Sequence, residues 1–461
     1  MVVDVVLYLA VHQPRRLKLP AQPIPRCASI EDITHCLFDE RLNKRSFRQM
    51  AHSCYYPAVR LFLDVVRQQG LRLALGISLS FVQQATLWEP ALLDLLRELA
   101  AEEAVELVGM DPYRSLHCLL DLPAYGVRMQ WMAGEMEHIF GKRPIVSDAF
   151  GLGMSSSLYQ ALDAAGFCGV LLESGSRVMQ WRSSNYVYCA GDDTTCVASS
   201  QPPALTRRKT AHLSARDLLG PPYTVDEPCE HAPYLLVRHD ALSADLSTRF
   251  AGHAQAGVPL YADTYADWLT RVEGDCVLLD CDLTHFAEHQ RSGFGEFMQA
   301  LPQECLKRGI TTRTPSELME RVSAARRAYH LPLPKHSAVL ASFTNPDLYC
   351  EHEEQRIILQ SMRDVYQLAQ LTEHPALLDI ALWLAQADNL HLVRWPGPQL
   401  VTTITPHKWW YLGPTRLLHE QRQVYNNALY ALEAYLPTRL LRQSKLQGPA
   451  KSARPESLPV P

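Results

Sequence analysis

Residues 277–290 read VLLDCDLTHFAEHQ, and this stretch decides how the rest of the chain is read. Residues 276–279 are apolar enough for a buried strand, yet Asp280 and Asp282 follow at once, with Glu288, His289 and Gln290 behind them. A carboxylate buried without a partner costs several kcal/mol, so acids at the end of a core strand serve chemistry or an ion pair. In barrels of parallel strands the C-terminal strand ends carry the active site. The stretch therefore predicts one half of an acid/base site.

Outward from it, apolar runs at 2–11, 71–77, 105–108, 145–150, 169–173 and 234–237 read as further strands. Helical patterns over 42–69, 89–104, 123–140 and 156–165 stand between them. Strands alternating with helices predict a parallel α/β architecture, plausibly barrel-like. Residues 190–233 interrupt the rhythm with Gly, Pro, Asp and Ser, as a long binding loop or lid would. The rhythm closes near residue 323. After Pro332-Leu333-Pro334 the pattern becomes helices without strands over 351–371, 375–387 and 415–435. The expected organisation is a barrel domain at 1–325, a helical domain at 335–440 and a disordered tail at 441–461.

The 461 residues suffice for a large core plus a second domain, since single cores stop growing near ~250–300 residues. A net charge of -5 offers no basic surface, so neither nucleic acid nor an anionic membrane is an expected partner. No run approaches the ~18 apolar residues of a membrane span. The start, MVVDVVLYLAVHQPRR, reads as a first buried strand rather than a secretory signal, because Asp4 breaks the apolar run and no basic segment precedes it. Twelve cysteines without a CxxC pair predict reduced thiols in a cytoplasmic protein.

Nine segments in order share one source. They are YLAVHQPRRL at 8–17, FDE at 38–40, CYYPA at 54–58, WRSSNYVY at 181–188, ADTYADWL at 262–269, DLTHFAEHQ at 282–290, ALP at 300–302, TPSEL at 314–318 and PHKWWYLGP at 406–414. Together they resemble glycoside hydrolase family 57, in its α-amylase-like branch, over about residues 2–435. The resemblance implies an α/β fold, an incomplete (β/α)7 TIM-like barrel followed by a helical C-terminal domain. It also implies action on α-1,4-glucan such as maltodextrin or glycogen, with retention of configuration and without a metal or other cofactor.

Retention needs two carboxyl groups about 5–5.5 Å apart, one nucleophile and one acid/base. The family's acid/base aspartate matches Asp282. Its nucleophile glutamate falls on Gly151 when the stretch between Pro144 and Gly166-Phe167 is aligned without gaps, and Asp148 is the nearest substitute. An offset of three places Asp148 on the strand face opposite residue 151. The family's glutamate and histidine after the third strand become Met110 and Arg114, and acids of its helical domain become residues 339–343 (VLASF). Sugar-lining positions carried over are His12, Gln13, Trp181, Arg182, Glu288, His289, Trp409 and Trp410.

Each has a structural counterpart reading. A strand-end histidine or a tryptophan is commonly core, and Asp282 could serve an ion pair with Arg238 or Arg249. His285-Phe286-Ala287-Glu288-His289 matches an inverted zinc-protease pattern, but a strand ends just before it and the glycosidase register already accounts for Glu288-His289. The residues thus predict an α-amylase-like protein with impaired or absent catalysis. An active retaining or inverting α-glucan hydrolase or transferase using Asp282 with a relocated acid such as Asp148, and a regulatory interaction protein without sugar affinity, are the alternatives.

Overall fold

The apolar runs of the sequence become one nine-stranded sheet in the computed structural model, which describes residues 3–149, 154–174, 176–179, 182–191, 233–248, 260–284, 286, 293–325, 329–334, 353–393 and 413–437. The strands are β1 Asp4–Val11, β2 Leu73–Ile77, β3 Val105–Gly109, β4 Val146–Asp148, β5 Gly169–Leu172, β6 Val187–Gly191, β7 Tyr234–Val237, β8 Cys276–Asp282 and β9 Tyr329–Pro332. Across the sheet their order is β8-β1-β2-β3-β4-β5-β7-β6-β9. The first seven in that order are parallel. Both faces of such strands are covered, which is why β1 and β2 are buried at every residue.

The run of seven curls on itself. Arg238, just past β7, forms a parallel bridge to Leu278 of β8, and the His239 N–H donates to the Leu278 carbonyl at 2.9 Å. Among the described residues this one bridge joins the two ends of the expected incomplete (β/α)7 barrel. Beyond β7, β6 pairs antiparallel with it and β9 adds parallel to β6. Neither strand is expected from the sequence, because β6 borders the polar 190–233 stretch and β9 contains Pro332.

Other boundaries shift for identifiable reasons. Strand β8 continues through Asp282 rather than stopping at residue 279, because it pairs with β1 from Asp4↔Cys276 to Ala10↔Asp282. The helix expected over 42–69 is two helices, Glu40–Met50 and Tyr56–Gln69, joined by a π turn at Ala51–Tyr55. Pro57 has no N–H to continue the first helix's ladder and suits the first turn of the second. Residues 375–387 form Pro375–Leu384 and then a separate Asp388–Val393 helix. Eight described cysteines are free thiols, but Cys189 is disulfide-bonded, which corrects the expectation of reduced thiols throughout. Residues 192–232 and the 441–461 tail lie outside the described residues. Among described residues no helix is long and apolar enough to cross a membrane.

Period-two alternation sends Val6, Tyr8 and Ala10 of β1 into the lumen, with Ala74, Val108, Val146, Leu171, Leu236, Cys276 and Leu278 from the other strands. Leu318, Met319 and Val322 of the Pro315–Ala324 helix plug the N-terminal end. The C-terminal helices Glu353–Leu371, Pro375–Leu384 and Gly413–Glu433 share a second core that takes in Leu17, Leu19, Ile24, Ile33, Leu37 and Phe38 from the segment after β1.

Tyr8 reaches across the lumen over Gly76 of β2, where an added Cβ would lie 2.2 Å from the phenol oxygen. Only glycine admits the ring there. Gly76→Ala is expected to destabilise the protein by about 2–3 kcal/mol through overpacking, with partial recovery on adding Tyr8→Phe. Urea unfolding of the single and double variants checks both; a Gly76→Ala loss below about 0.5 kcal/mol contradicts the close approach.

Candidate active site

The functional candidates gather at the C-terminal strand ends, where the lumen opens. At the end of β1, His12 Nδ1 lies 2.9 Å from Ser78 Oγ, the cap of the Leu79–Trp88 helix after β2. Its Nε2 lies 3.3 Å from Asp388 Oδ2 of the helical region. Gln13 satisfies its neighbours when its carbonyl accepts from Arg16 Nη1 and Nη2 (3.1 and 3.3 Å) and its amide donates to Tyr55 Oη at 2.8 Å. The Gln13 backbone carbonyl accepts from Ser80 Oγ and, at 2.8 Å, from Gln84 Nε2. The His12-Gln13 segment is therefore held from both sides.

Asp388 arrives because the linker ahead of it is stitched to barrel loops. Gln386 Nε2 donates to the Tyr113 carbonyl at 3.0 Å, its Oε1 accepts from the Arg15 N–H at 3.1 Å, and the Ala387 N–H donates to the Arg114 carbonyl at 2.9 Å. Tyr113 stacks on Trp383 with ring centroids 4.3 Å apart. Residues 111–115 fold around the buried Asp111 carboxylate, whose Oδ1 accepts from Tyr113 N–H (3.0 Å) and Ser115 N–H (2.6 Å) while Oδ2 accepts from Ser115 Oγ (3.1 Å). These bonds hold Arg114 at φ 51, a left-handed conformation that costs a non-glycine residue about 1 kcal/mol or more. The result is a guanidinium directed into the barrel mouth, with Nη1 3.8 Å from Asp282 Oδ2.

Five acids gather at the strand ends around the mouth. Asp148 at the end of β4 is buried and accepts from Tyr8 Oη at 2.7 Å. Asp280 lies two residues below Asp282 on the same face of β8; its Oδ2 is 3.3 Å from Arg238 Nη1, and its N–H donates to Ser243 Oγ at 3.1 Å. Arg238 also faces Glu173 (3.8 Å) and Asp240 (3.2 Å). Asp282 Oδ1 accepts from the Thr284 N–H (2.8 Å) and hydroxyl (2.7 Å). Burial pushes Asp280 up to about 6; Arg238 opposes this and the charge of Asp148 adds to it. Burial, reinforced by Asp148, holds the Tyr8 phenol well above its usual range, so it stays protonated and a donor.

Several expectations change. Asp282 pairs with Arg114, whereas Arg238, once its candidate partner, serves Asp280, because β8 carries both acids on one face two residues apart. Asp148 faces the lumen, as alternation from Val146 requires. Met110 lies in the lumen wall. Arg182 is buried beside Tyr188, whose ring belongs to the core outside the lumen, so it is not part of the acid cluster. Gly151, Trp181, Arg249, Glu288, His289, Trp409 and Trp410 lie outside the described residues, as does His285 of the zinc pattern. Among described residues no group of three or more His, Cys, Asp or Glu could hold a metal ion.

Sequence reading singled out Asp280 beside Asp282 without giving it a role of its own, and it missed Tyr8 and Asp388 as site residues. Even-numbered alternation in β1 could have found Tyr8. Asp388 was signalled by Gln386-Ala387-Asp388, a polar break in an apolar helical run.

Comparison with known proteins gives a consistent picture. The family profile described as Glycosyl hydrolase family 57 matches residues 6–199 and 206–332. A Methanocaldococcus jannaschii protein named "Putative alpha-amylase" is 23% identical over 440 residues, which is 92% of this chain and 83% of that one. Among solved structures, the family-57 branching enzyme of Thermococcus kodakaraensis matches with a TM-score of 0.55 at 14% identity, over 97% of this chain and 95% of its own. The α-amylase AmyC of Thermotoga maritima gives 0.52 at 10% identity, over 97% and 96%. The chain spans about half of the Thermococcus litoralis 4-α-glucanotransferase, 56% of its length, with a TM-score of 0.54 at 12% identity over 84% of this chain. At these identities the structural likeness concerns the fold.

Asp280 has a consequence for stability. Its value of about 6 stands above the ordinary 3.8, so between those values the folded state holds a proton that the unfolded chain releases. Its contribution to stability therefore falls as pH rises through that window. Asp280→Asn keeps the neutral shape and is expected to gain roughly 2–3 kcal/mol on wild type between about pH 4 and pH 7. Urea unfolding at both values measures it; a difference independent of pH would show that Asp280 ionises as in the unfolded chain.

Proposed function

The chain belongs to glycosyl hydrolase family 57, and from that premise we propose that it is an α-amylase-like protein that binds α-1,4-glucan, with retaining hydrolysis severely impaired. The observation that carries this reading is the engagement of Asp282, which matches the family's acid/base position. One carboxylate oxygen accepts two bonds from Thr284 and the other faces the Arg114 guanidinium. A proton donor has to present a protonated oxygen to the leaving group, and the Thr284 bonds leave for that role only Oδ2, 3.8 Å from the Arg114 guanidinium.

The sequence supports the same reading from the other side of the reaction. Gly151 stands where the resemblance puts the nucleophile, and glycine can form no covalent intermediate. Removing such a group typically costs several orders of magnitude in rate. Binding depends on less. His12 and Gln13 stand just past β1 in a fixed geometry, and they, with Trp181, Glu288, His289, Trp409 and Trp410, are assigned to sugar contact on the resemblance. The names of the relatives, an α-amylase, a branching enzyme and a 4-α-glucanotransferase, support α-glucan as the ligand class. Eight free thiols among the described cysteines favour a cytoplasmic setting, with the Cys189 disulfide as the exception.

Calorimetry with maltoheptaose is expected to show binding, and Gly151→Glu is expected to raise release of α-anomeric product by at least about 100-fold. Rapid wild-type turnover to α-anomeric product that vanishes in Asp282→Asn would sink the reading. Absence of binding would favour an interaction protein without sugar affinity.

A further inference from the structure

One tryptophan stands where the barrel has no use for it. The Leu122–Phe140 helix, between β3 and β4 in sequence, buries Tyr125, Met129, Met132 and Met136 in the core outside the lumen. Its opposite face is therefore expected to be polar. Instead that face presents Val127, 70% exposed, and Trp131, 40% exposed, four residues apart. Trp88 and Trp268 are half-buried and Trp383 is buried, so Trp131 is the exposed one among the described tryptophans. We propose that Trp131 is the platform of a second α-glucan site on the outer surface, separate from the barrel mouth. This rests on the glucan reading above and extends it from one site to two.

The ring is held still before any ligand arrives. Arg128 Cζ lies 4.1 Å from the Trp131 ring centroid, an attraction between cation and aromatic face. The guanidinium is itself fixed, because Nη2 donates to Asp379 Oδ1 at 2.6 Å and to Tyr113 Oη at 3.1 Å. Arg128 covers one face of the indole, and the other face is the one turned to solvent. A platform ordered in advance loses little freedom on binding, which lowers the cost of holding a ligand.

The chemistry around the ring suits a sugar. The C–H groups on one side of a pyranose carry slight positive charge and match the negative face of an indole. Hydroxyls at the pyranose edge need planar polar partners, and these stand beside the platform. Gln130 is exposed on the same helix, and the Asp379 carboxylate on the Pro375–Leu384 helix is 42% exposed. Val127, about 5–6 Å along the helix, offers an apolar surface to the next sugar of a chain. A protein partner fits less well, since two exposed side chains fall far short of the about 800 Å² that each side of a stable interface buries.

Tyr113 joins the platform to the mouth. Its hydroxyl accepts from Arg128 and its ring stacks on Trp383, while the next residue, Arg114, reaches toward Asp282. Two sites on one rigid frame favour a long polymer over a short oligosaccharide, because the second contact is intramolecular.

The test uses the full chain labelled with 5-fluorotryptophan, the Trp131 resonance being assigned by its loss in Trp131→Phe. During titration with maltoheptaose that resonance is expected to shift and saturate. Calorimetry should count two maltoheptaose sites per chain, falling to one in Trp131→Ala. Electrophoresis in glycogen gels should show the apparent affinity of Trp131→Ala lowered by about 10-fold or more, with Trp131→Phe in between and near-ultraviolet circular dichroism confirming that both fold. Loss of all binding in folded Trp131→Ala keeps the surface site and removes the mouth. A Trp131 resonance that stays put while maltoheptaose binds overturns the inference and leaves the glucan reading standing. A resonance that moves with protein concentration but not with sugar makes the stripe a contact between copies and overturns it, as does an equal shift with cellohexaose. Absence of any binding overturns both readings.

Discussion

One residue ties the architecture to its chemistry. The backbone of Arg238 bridges to Leu278 and closes the seven-strand run, while its side chain faces Glu173, Asp240 and Asp280. The closure brings acids from three strand ends into one small volume, where desolvation of several carboxylates is costly. The guanidinium that accompanies the closure is what offsets that cost. Everything else at the mouth is arranged around the remaining deficit of positive charge. Arg114 enters from the opposite side on a left-handed backbone, held by Asp111, and Tyr8 donates a hydrogen bond to Asp148.

Asp280 and Asp282 show how strongly environment divides chemically identical groups. They sit two residues apart on one strand face, so sequence alone ranks them together. Asp282 is capped by Thr284 and faces Arg114 at the rim. Asp280 lies a layer deeper, shares its cation with two other acids and is pushed up by burial. Depth in the barrel, a difference of one residue pair along β8, separates a carboxyl held at the rim by Thr284 and Arg114 from one that burial pushes up to about 6.

How much was legible follows from the range of the interactions. Strands β1, β2, β3, β5 and β7 are continuous apolar runs buried on both faces, and their local pattern suffices to place them. Family likeness reached His12, Gln13 and Asp282. The pairing of Tyr8 with Asp148, of Arg114 with Asp282 and of His12 with Asp388 joins residues from separate elements, and no local pattern encodes which acid meets which base. The positive φ of Arg114 was equally hidden, because it depends on the hydrogen bonds of Asp111 and on Ala387 from the distant helical region. Strands β6 and β9 were missed because their residues gain strand character only from pairing, β6 with β7 and β9 with β6.

The second core makes the order of synthesis matter. Leu17, Leu19, Ile24, Ile33, Leu37 and Phe38 emerge among the first residues of the chain, yet they are covered by helices that begin at Glu353 and finish with Gly413–Glu433. The Tyr435 hydroxyl closes the arrangement on the Ala28 carbonyl, 407 residues away in sequence. During translation this apolar segment waits uncovered while the barrel assembles beside it. Contacts of such separation are formed late and expose hydrophobic surface meanwhile. The nascent barrel therefore carries a sticky flank through most of its synthesis, and a helix made long after it, Gly413–Glu433, helps to shield that early segment.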